Sequence, residues 1–288
     1  MIYRRRASPL HAARAAAGCA YCLALAIATL MASNPIILGA VTVAVLAAGA
    51  AAGVGRPLCR AALWGLPVAA AIMLVNALVT RDGLTVIVRL GNVPVLGHTD
   101  VTLEATVYGA ILGLRAVALI LCGLLYTLAV DPDEVLRLFR RVSFHSALTA
   151  TLATRMVPIL VRDGRRLAEA QRCRPGPPPS RLALMRAACT GVLDRALDVA
   201  AALEVRGYGA ARRPPPYRGG VGSYSRHDAA FLASAVALVA VSVVARVDPA
   251  AAFAAYPSLR LTAGPGALLL AAALVVAALL PFADRRGL

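Results

Sequence analysis

Six long apolar runs constrain this chain more than any other feature of its sequence. A helix that crosses a membrane needs about 20 mostly apolar residues. Runs of that length lie at residues 15–33, 36–54, 61–79, 104–129, 228–246 and 264–282. The whole sequence is 60% apolar, whereas a soluble domain is usually about 45–50% apolar. The pattern therefore predicts an all-α polytopic membrane protein with about six transmembrane helices.

Arginine is distributed unevenly between the two sides of such a six-span chain. One side receives the arginines of segment 131–227 together with Arg4, Arg5, Arg6, Arg56, Arg60, Arg285 and Arg286. The other side receives only Arg81, Arg89 and Arg260, with Arg246 at a helix end. Because short cytoplasmic loops carry an excess of basic residues, we expect a plasma-membrane protein with both termini in the cytoplasm.

The segment 131–227 separates the first four apolar runs from the last two. It contains 17 arginines and 8 acidic residues and has no run long enough to cross a membrane. Three domains follow from this division: an N-terminal membrane domain of four helices, a cytoplasmic domain, and a C-terminal pair of helices. Their predicted bounds are 1–130, 131–227 and 228–288. The external loop 80–103 has β-branched residues punctuated by Gly and Pro, which predicts a short hairpin or interfacial segment.

The cytoplasmic segment is predicted to contain a short helix that begins near Asp131 or Asp133, followed by two longer helices. The longer helices are expected over about 146–173 and 181–206, separated by the Pro-rich stretch "RPGPPPSR". Gly207 is predicted to end the second of them, with Arg206 well placed against the helix dipole.

Both longer helices are predicted to be amphipathic at the helical period. The apolar stripe of the first comprises Leu152, Met156, Ile159, Leu160, Leu167 and Ala170, and that of the second Leu193, Ala196, Leu197, Ala200 and Leu203. The first helix also has a basic face that includes Arg155 and Arg162, and Pro158 is a candidate for a kink. One interpretation of this basic face is contact with the headgroups of an anionic leaflet. Arg174 projects beside the apolar stripe instead and is predicted to enter a groove of a partner.

The sequence lacks lysine and lacks several common catalytic motifs, and both absences limit the chemistry that the chain can perform. All 30 basic residues are arginine, and without lysine no Walker A phosphate loop is possible. ATP, if it drives this protein, must be bound by a partner. The sequence also has no Gly-x-Ser-x-Gly or His-Glu-x-x-His motif and no paired aspartates within the spans. We therefore expect neither an enzyme nor a metal site, and a structural role for Cys19 and Cys22.

A series of short motifs resembles the transmembrane T component of energy-coupling factor (ECF) transporters, the family that includes the permease subunit of cobalt uptake systems. The resemblance covers about residues 8–246. "SPLHAAR" is similar to the opening His-Pro-x-x-Lys of the family, and Asn34-Pro35 matches its Asn-Pro after the first helix. "ATRMVPIL", which contains Arg155 and Pro158, resembles a Leu-Arg-Phe-Ile-Pro stretch. "AEAQRCRP" and "ALEVRGYG" stand where the family has its two Ala-Arg-Gly motifs.

The resemblance implies a non-catalytic coupling subunit. In such transporters, each Ala-Arg-Gly motif enters a groove on one of two cytoplasmic ATP-binding cassette (ABC) ATPase subunits or domains. The T component thereby transmits ATP binding and hydrolysis to a separate substrate-binding membrane subunit, the S component, for uptake of a vitamin or metal ion. ATP and Mg²⁺ are expected in the partners, and no cofactor is expected in this chain. The implied coupling residues are Cys173, Arg174, Pro175, Glu204, Val205, Arg206 and Gly207.

Two other functions remain open at this level. A secondary transporter would place ionisable residues in the membrane, and Arg115 in the fourth span is the main candidate for one. A membrane-anchored scaffold would use the basic segment to contact the bilayer. That segment is poor in aromatic residues, so we do not expect it to bind nucleic acid.

Overall fold

The chain divides into two compact units, each described separately below. The first comprises Met1–Pro132 and Ser223–Leu288, and the second comprises Asp133–Gly222. The structure, a computed structural model, describes residues 8–80, 85–93, 97–139, 144–173, 175, 180–207, 225–249, 253–254, 260–261 and 264–283.

Each of the six predicted spans is a helix of the first unit. These helices are α2 (Ala15–Met31), α3 (Pro35–Ala51), α4 (Gly55–Val79), α5 (Leu103–Ala129), α9 (Arg226–Val247) and α10 (Pro265–Leu279), the last continued by a 3-10 turn (Leu280–Phe282). Four of them are long and apolar enough to cross a membrane: α4, α5, α9, and α10 together with its 3-10 turn. The other two have 17 residues each, the lower end of the spanning range. The protein is an all-α polytopic membrane protein.

The remaining elements are short or belong to the second unit. A four-residue helix, α1 (Pro9–Ala12), precedes α2. The helices of the segment between α5 and α9 are α6 (Pro132–Phe139), α7 (Phe144–Arg172) and α8 (Arg181–Val205). Strands β1 (Val86–Val93) and β2 (Gly97–Thr102) pair antiparallel, which confirms the hairpin predicted in the external loop. Strands β3 (Phe253–Ala254) and β4 (Arg260–Leu261) form a second hairpin, which the sequence did not predict.

Glycines allow α4 and α5 to pack closely. A Cβ at Gly113 would lie 2.7 Å from the carbonyl oxygen of Ala69, and one at Gly109 would lie 2.9 Å from Cα of Met73. The two glycines are four residues apart on α5, the spacing of the small-residue interfaces found between membrane helices. On α4, Gly65 meets the side chain of Val117 in the same way. The close contact between α4 and α5 therefore depends on glycines, which have no side chain at these positions.

Helix α2 packs against α5 and α9 in the first unit. The rings of Tyr21, Phe231 and Phe282 meet edge to face, with centroids 5.3–6.2 Å apart. The hydroxyl of Tyr21 donates a 2.8 Å hydrogen bond to the carbonyl of Ala278. This aromatic cluster joins α2 to both C-terminal helices.

Candidate coupling segment

Helices α7 and α8 form the core of the second unit and carry the predicted coupling residues at their ends. The structure places α7 at 144–172 and α8 at 181–205, within two residues of the predicted bounds. Ser180 caps α8 by accepting a hydrogen bond from the backbone N–H of Ala183. The helix continues through Pro158, which lies inside α7 and is exposed, as is Arg155.

An ion pair joins the two helices. Nη1 of Arg195 donates a 2.6 Å hydrogen bond to Oδ2 of Asp163. This contact, with further attraction from Arg166 and Arg162, lowers the pKa of the Asp163 carboxyl. The pair lies nine residues before the end of α7 at Arg172 and ten before the end of α8 at Val205, about 14–15 Å along each helix.

An apolar cavity of about 290 Å³ lies between α7 and α8. Its walls include Leu152, Met156 and Leu160 of α7, and Ala196, Ala200 and Leu203 of α8, all members of the predicted apolar stripes. The prediction for α8 is only partly correct, because Leu193 and Leu197 are 65% and 70% exposed. The stripe of α8 is wider than the face that α7 covers, and part of it is therefore left on the surface.

The end of α8 is uncovered. Arg206 caps the helix with its backbone N–H bonded to the carbonyl of Ala202, and Gly207 follows with φ of +77°. This left-handed conformation confirms the predicted glycine cap. Val205 is 90% exposed, and Glu204 and Arg206 are exposed as well. Three neighbouring side chains of the second motif are thus free to meet another surface.

The end of α7 is described only in part. Cys173 donates its backbone N–H to the carbonyl of Glu169, and its side chain and Pro175 are exposed. Arg174, the predicted coupling arginine of the first motif, lies outside the described residues. The structure therefore brings the second motif together at one helix end and leaves the arrangement of the first motif a prediction.

The candidate residues of the membrane unit have structural contacts. Oδ1 of Asn34 accepts a 2.9 Å hydrogen bond from the backbone N–H of Ile36, and Pro35 occupies the first turn of α3. Asn34 thereby caps α3, as side chains of this type often do. Nη2 of Arg115 donates a 2.8 Å hydrogen bond to the carbonyl of Ala32, at the end of α2.

Sequence reasoning missed the buried polar contact between the beginnings of α2 and α9. Asp228 is 1% exposed and accepts hydrogen bonds from the backbone N–H groups of Arg14 and Ser225. In the sequence it is an acidic residue at the edge of a span, and nothing in the pattern indicates a contact with a residue 214 positions away.

All six cysteines are free thiols, and Cys22 and Cys122 are buried. Among the residues that the structure describes, no group of three or more His, Cys, Asp or Glu side chains could hold a metal ion.

Taken together, the apolar helices and the helical segment between α5 and α9 define a polytopic membrane protein. The chain belongs to the cobalt transport protein family (CbiQ), which matches residues 6–217. This is the family of T components of ECF transporters, so the resemblance found in the sequence is confirmed. Members are membrane transport components that work with partner subunits. No curated protein matches the chain.

Proposed function

We propose that this protein is the coupling subunit of an ECF-type ABC transporter. In this role it transmits ATP binding and hydrolysis by two cytoplasmic ATPase subunits or domains to a membrane S component. The S component captures a micronutrient, either a vitamin or a metal ion. ATP and Mg²⁺ bind to the ATPases. The observation that carries the proposal is the exposed end of α8, where Val205 is the last residue of a well-formed helix, Arg206 and Gly207 follow it, and all three are exposed.

The chemistry of this helix end suits an ATPase groove. An arginine guanidinium can form two parallel hydrogen bonds with one carboxylate of a partner. The exposed apolar surface of Val205 adds area that becomes buried on contact. Gly207 lets the chain turn away immediately after the helix, so that the arginine stands at the tip.

The Asp163–Arg195 ion pair supports a role in transmission. It joins α7 and α8 at points about equally far from both motif ends. A displacement imposed on one helix end is passed to the other helix at this contact. In this proposal, the apolar cavity beside the pair gives the two helices room to change their packing.

In the membrane unit, the beginnings of α2 and α9 lie at the same end as the end of α5. Arg14 contacts Asp228 at the beginning of α9, and Gly18 faces the side chain of Val130 after the end of α5. The residues at which the chain leaves the membrane unit and returns to it therefore lie at the same end of that unit. The arginine distribution predicts that this end is cytoplasmic.

The proposal is tested by co-purification from membranes. In the full-length chain, Arg174→Glu combined with Arg206→Glu is expected to abolish recovery of the ATPases, because like charges then face the carboxylates of the groove. Arg186→Glu is the matched control, since Arg186 is an exposed arginine in the second turn of α8, far from the motif end. Unchanged recovery and uptake in the double variant would exclude these arginines as the ATPase contacts.

A further inference from the structure

Two arginine side chains converge on the turn that joins α2 to α3. Nη2 of Arg115, on α5, donates a 2.8 Å hydrogen bond to the carbonyl of Ala32. Nη1 of Arg246, in the last turn of α9, donates to Oγ of Ser33. Because Ala32 and Ser33 are consecutive, with Cα atoms about 3.8 Å apart, two positive charges from different helices meet at one stretch of backbone.

The ion pairs found among the described residues involve neither of these arginines. Nε of Arg115 is buried and has no hydrogen-bond acceptor within the described part of the chain. A guanidinium has five N–H donors, and the carbonyl of Ala32 occupies one of them. Two like charges near a membrane interior also repel each other. The turn therefore has an excess of positive charge and of donors.

The depth of the turn matches that of lipid headgroups. Helices α2 and α3 are each about 26 Å long, whereas α5, with 27 residues, is about 40 Å long. Gly18, near the start of α2, lies beside Val130, just after the end of α5. The other end of α2 consequently lies beside Arg115, well inside α5. Because α2 and α3 are each slightly shorter than the hydrocarbon core, which is about 30 Å thick, we expect the turn that joins them near the boundary of the core, where phosphates are found.

Exposed apolar side chains surround the two arginines. Leu30 and Met31, in the last turn of α2, are 58% and 37% exposed, and Val243 and Val247 on α9 are 47% and 75% exposed. A ligand that combines an anionic group with apolar chains would contact both the guanidiniums and this surface. A free anion would use only the guanidiniums.

We propose that Arg115 and Arg246 bind the phosphate of an anionic phospholipid at the α2–α3 turn. Guanidiniums form short, often bidentate hydrogen bonds with phosphate, and the acyl chains lie along the exposed apolar residues of α2 and α9. The lipid neutralises the excess charge of the turn and fills a surface that the protein leaves open. This site is separate from the coupling segment and does not depend on the proposed function.

The test uses the full-length chain, purified in detergent and titrated with short-chain phosphatidylglycerol while its thermal unfolding is followed. The wild type should be stabilised, and Arg115→Gln combined with Arg246→Gln should weaken the apparent affinity by about tenfold or more. Arg60→Gln is the control, because Arg60 is an exposed arginine of α4 outside this cluster, and it should leave the affinity unchanged. If the double variant does not fold, Arg246→Gln alone gives the same comparison at an exposed position.

Two further titrations distinguish the source of the anion. Inorganic phosphate should stabilise the wild type far less than phosphatidylglycerol, because it gains nothing from the apolar surface. Equal stabilisation by both ligands would overturn the assignment to a lipid in favour of a soluble phosphate. Equal lipid affinity in wild type and double variant would overturn the site itself. The lipid site would also be overturned if the double variant binds the lipid as the wild type does but no longer assembles with a membrane partner. In that case the two arginines bind a carboxylate of the partner protein.

Discussion

The backbone N–H of Arg14 donates a 2.7 Å hydrogen bond to Oδ1 of Asp228, which holds the beginning of α2 against the beginning of α9. At the other end of the same two helices, Arg246 donates to Ser33. The helices therefore run parallel and in register from end to end. A polar contact at each end fixes the first membrane helix to one that follows it by about 200 residues.

Replacement of Asp228 should destabilise the membrane unit. Asp228→Ala removes the acceptor of the N–H groups of Arg14 and Ser225, and a buried donor without an acceptor costs about 1–3 kcal/mol. Thermal unfolding of the purified full-length chain measures this loss. Asp198→Ala removes an exposed carboxylate of α8 and serves as the control. Equal melting temperatures for the two variants would show that the contact does not contribute to stability.

Two glycines of α5 should respond differently to the same substitution. Gly113→Ala places a methyl group 2.7 Å from the carbonyl oxygen of Ala69, so α4 and α5 must separate, at a cost of about 1–3 kcal/mol. A Cβ at Gly123 meets nothing within 4 Å, so Gly123→Ala should be neutral or slightly stabilising. Both are compared by thermal unfolding in detergent. A neutral Gly113→Ala would contradict the close approach of the two helices.

Two glycines of the coupling segment form a second matched pair. Gly207 has φ of +77° and open space around its Cβ position, so Gly207→Ala should cost about 1–2 kcal/mol from backbone strain alone. Gly191 lies within α8, also in open space, and Gly191→Ala should stabilise the helix by about 0.5–1 kcal/mol. Amide hydrogen exchange across α8 reports both effects. Changes of the same sign would argue against the left-handed cap.

The contact between α7 and α8 should depend on pH in one direction. The Arg195 hydrogen bond lowers the pKa of Asp163 in the folded segment relative to the unfolded chain. The stabilisation is therefore fully present above the ordinary pKa of an aspartate and is lost as the pH falls through the lowered value. Hydrogen exchange of α7 and α8, corrected for the intrinsic pH dependence of amide exchange and compared between neutral pH and a pH below about 3.9, the ordinary pKa of an aspartate, should show this loss in the wild type. Asp163→Asn should have less pH dependence, and an unchanged dependence would assign it to other groups.

Orientation in the membrane can be tested at the C-terminus. We expect both termini to be cytoplasmic because arginines concentrate on that side. A cysteine introduced as Gly287→Cys, in a chain without its six native cysteines, should react with a membrane-impermeant thiol reagent only after the cells are permeabilised. Reaction in intact cells would refute the six-span topology.

The sequence predicted every helix that depends on a long periodic pattern. The six apolar runs correspond to α2, α3, α4, α5, α9 and α10. In the inserted segment, α7 and α8 begin and end within two residues of their predicted bounds. The glycine cap at Gly207 was also predictable, because it depends only on local backbone geometry.

The sequence did not predict contacts between residues far apart in the chain. Asp228 appeared as an acidic residue at a span edge, and Arg246 as an arginine at a helix end. Their partners, Arg14 and Ser33, lie more than 200 positions away. The exposure of Leu193 was also missed, since an apolar stripe does not reveal how much of its width a neighbouring helix covers. The period of the apolar residues identifies the apolar face of a helix, but only the packed structure shows which residues of that face a neighbouring helix buries.

The position of Tyr21 determines when the first membrane helix can reach its final environment. Its ring packs against Phe231 and Phe282, and its hydroxyl requires the carbonyl of Ala278. The first of these partners to be made, Phe231, follows Tyr21 by 210 residues. During synthesis, the helix inserted first must stay among lipids or with an insertion factor while more than 200 further residues are added. The packing of α2 is therefore completed only when α9 and α10 have been made, and a chain that stops before α10 leaves Tyr21 without the ring of Phe282 and the carbonyl of Ala278.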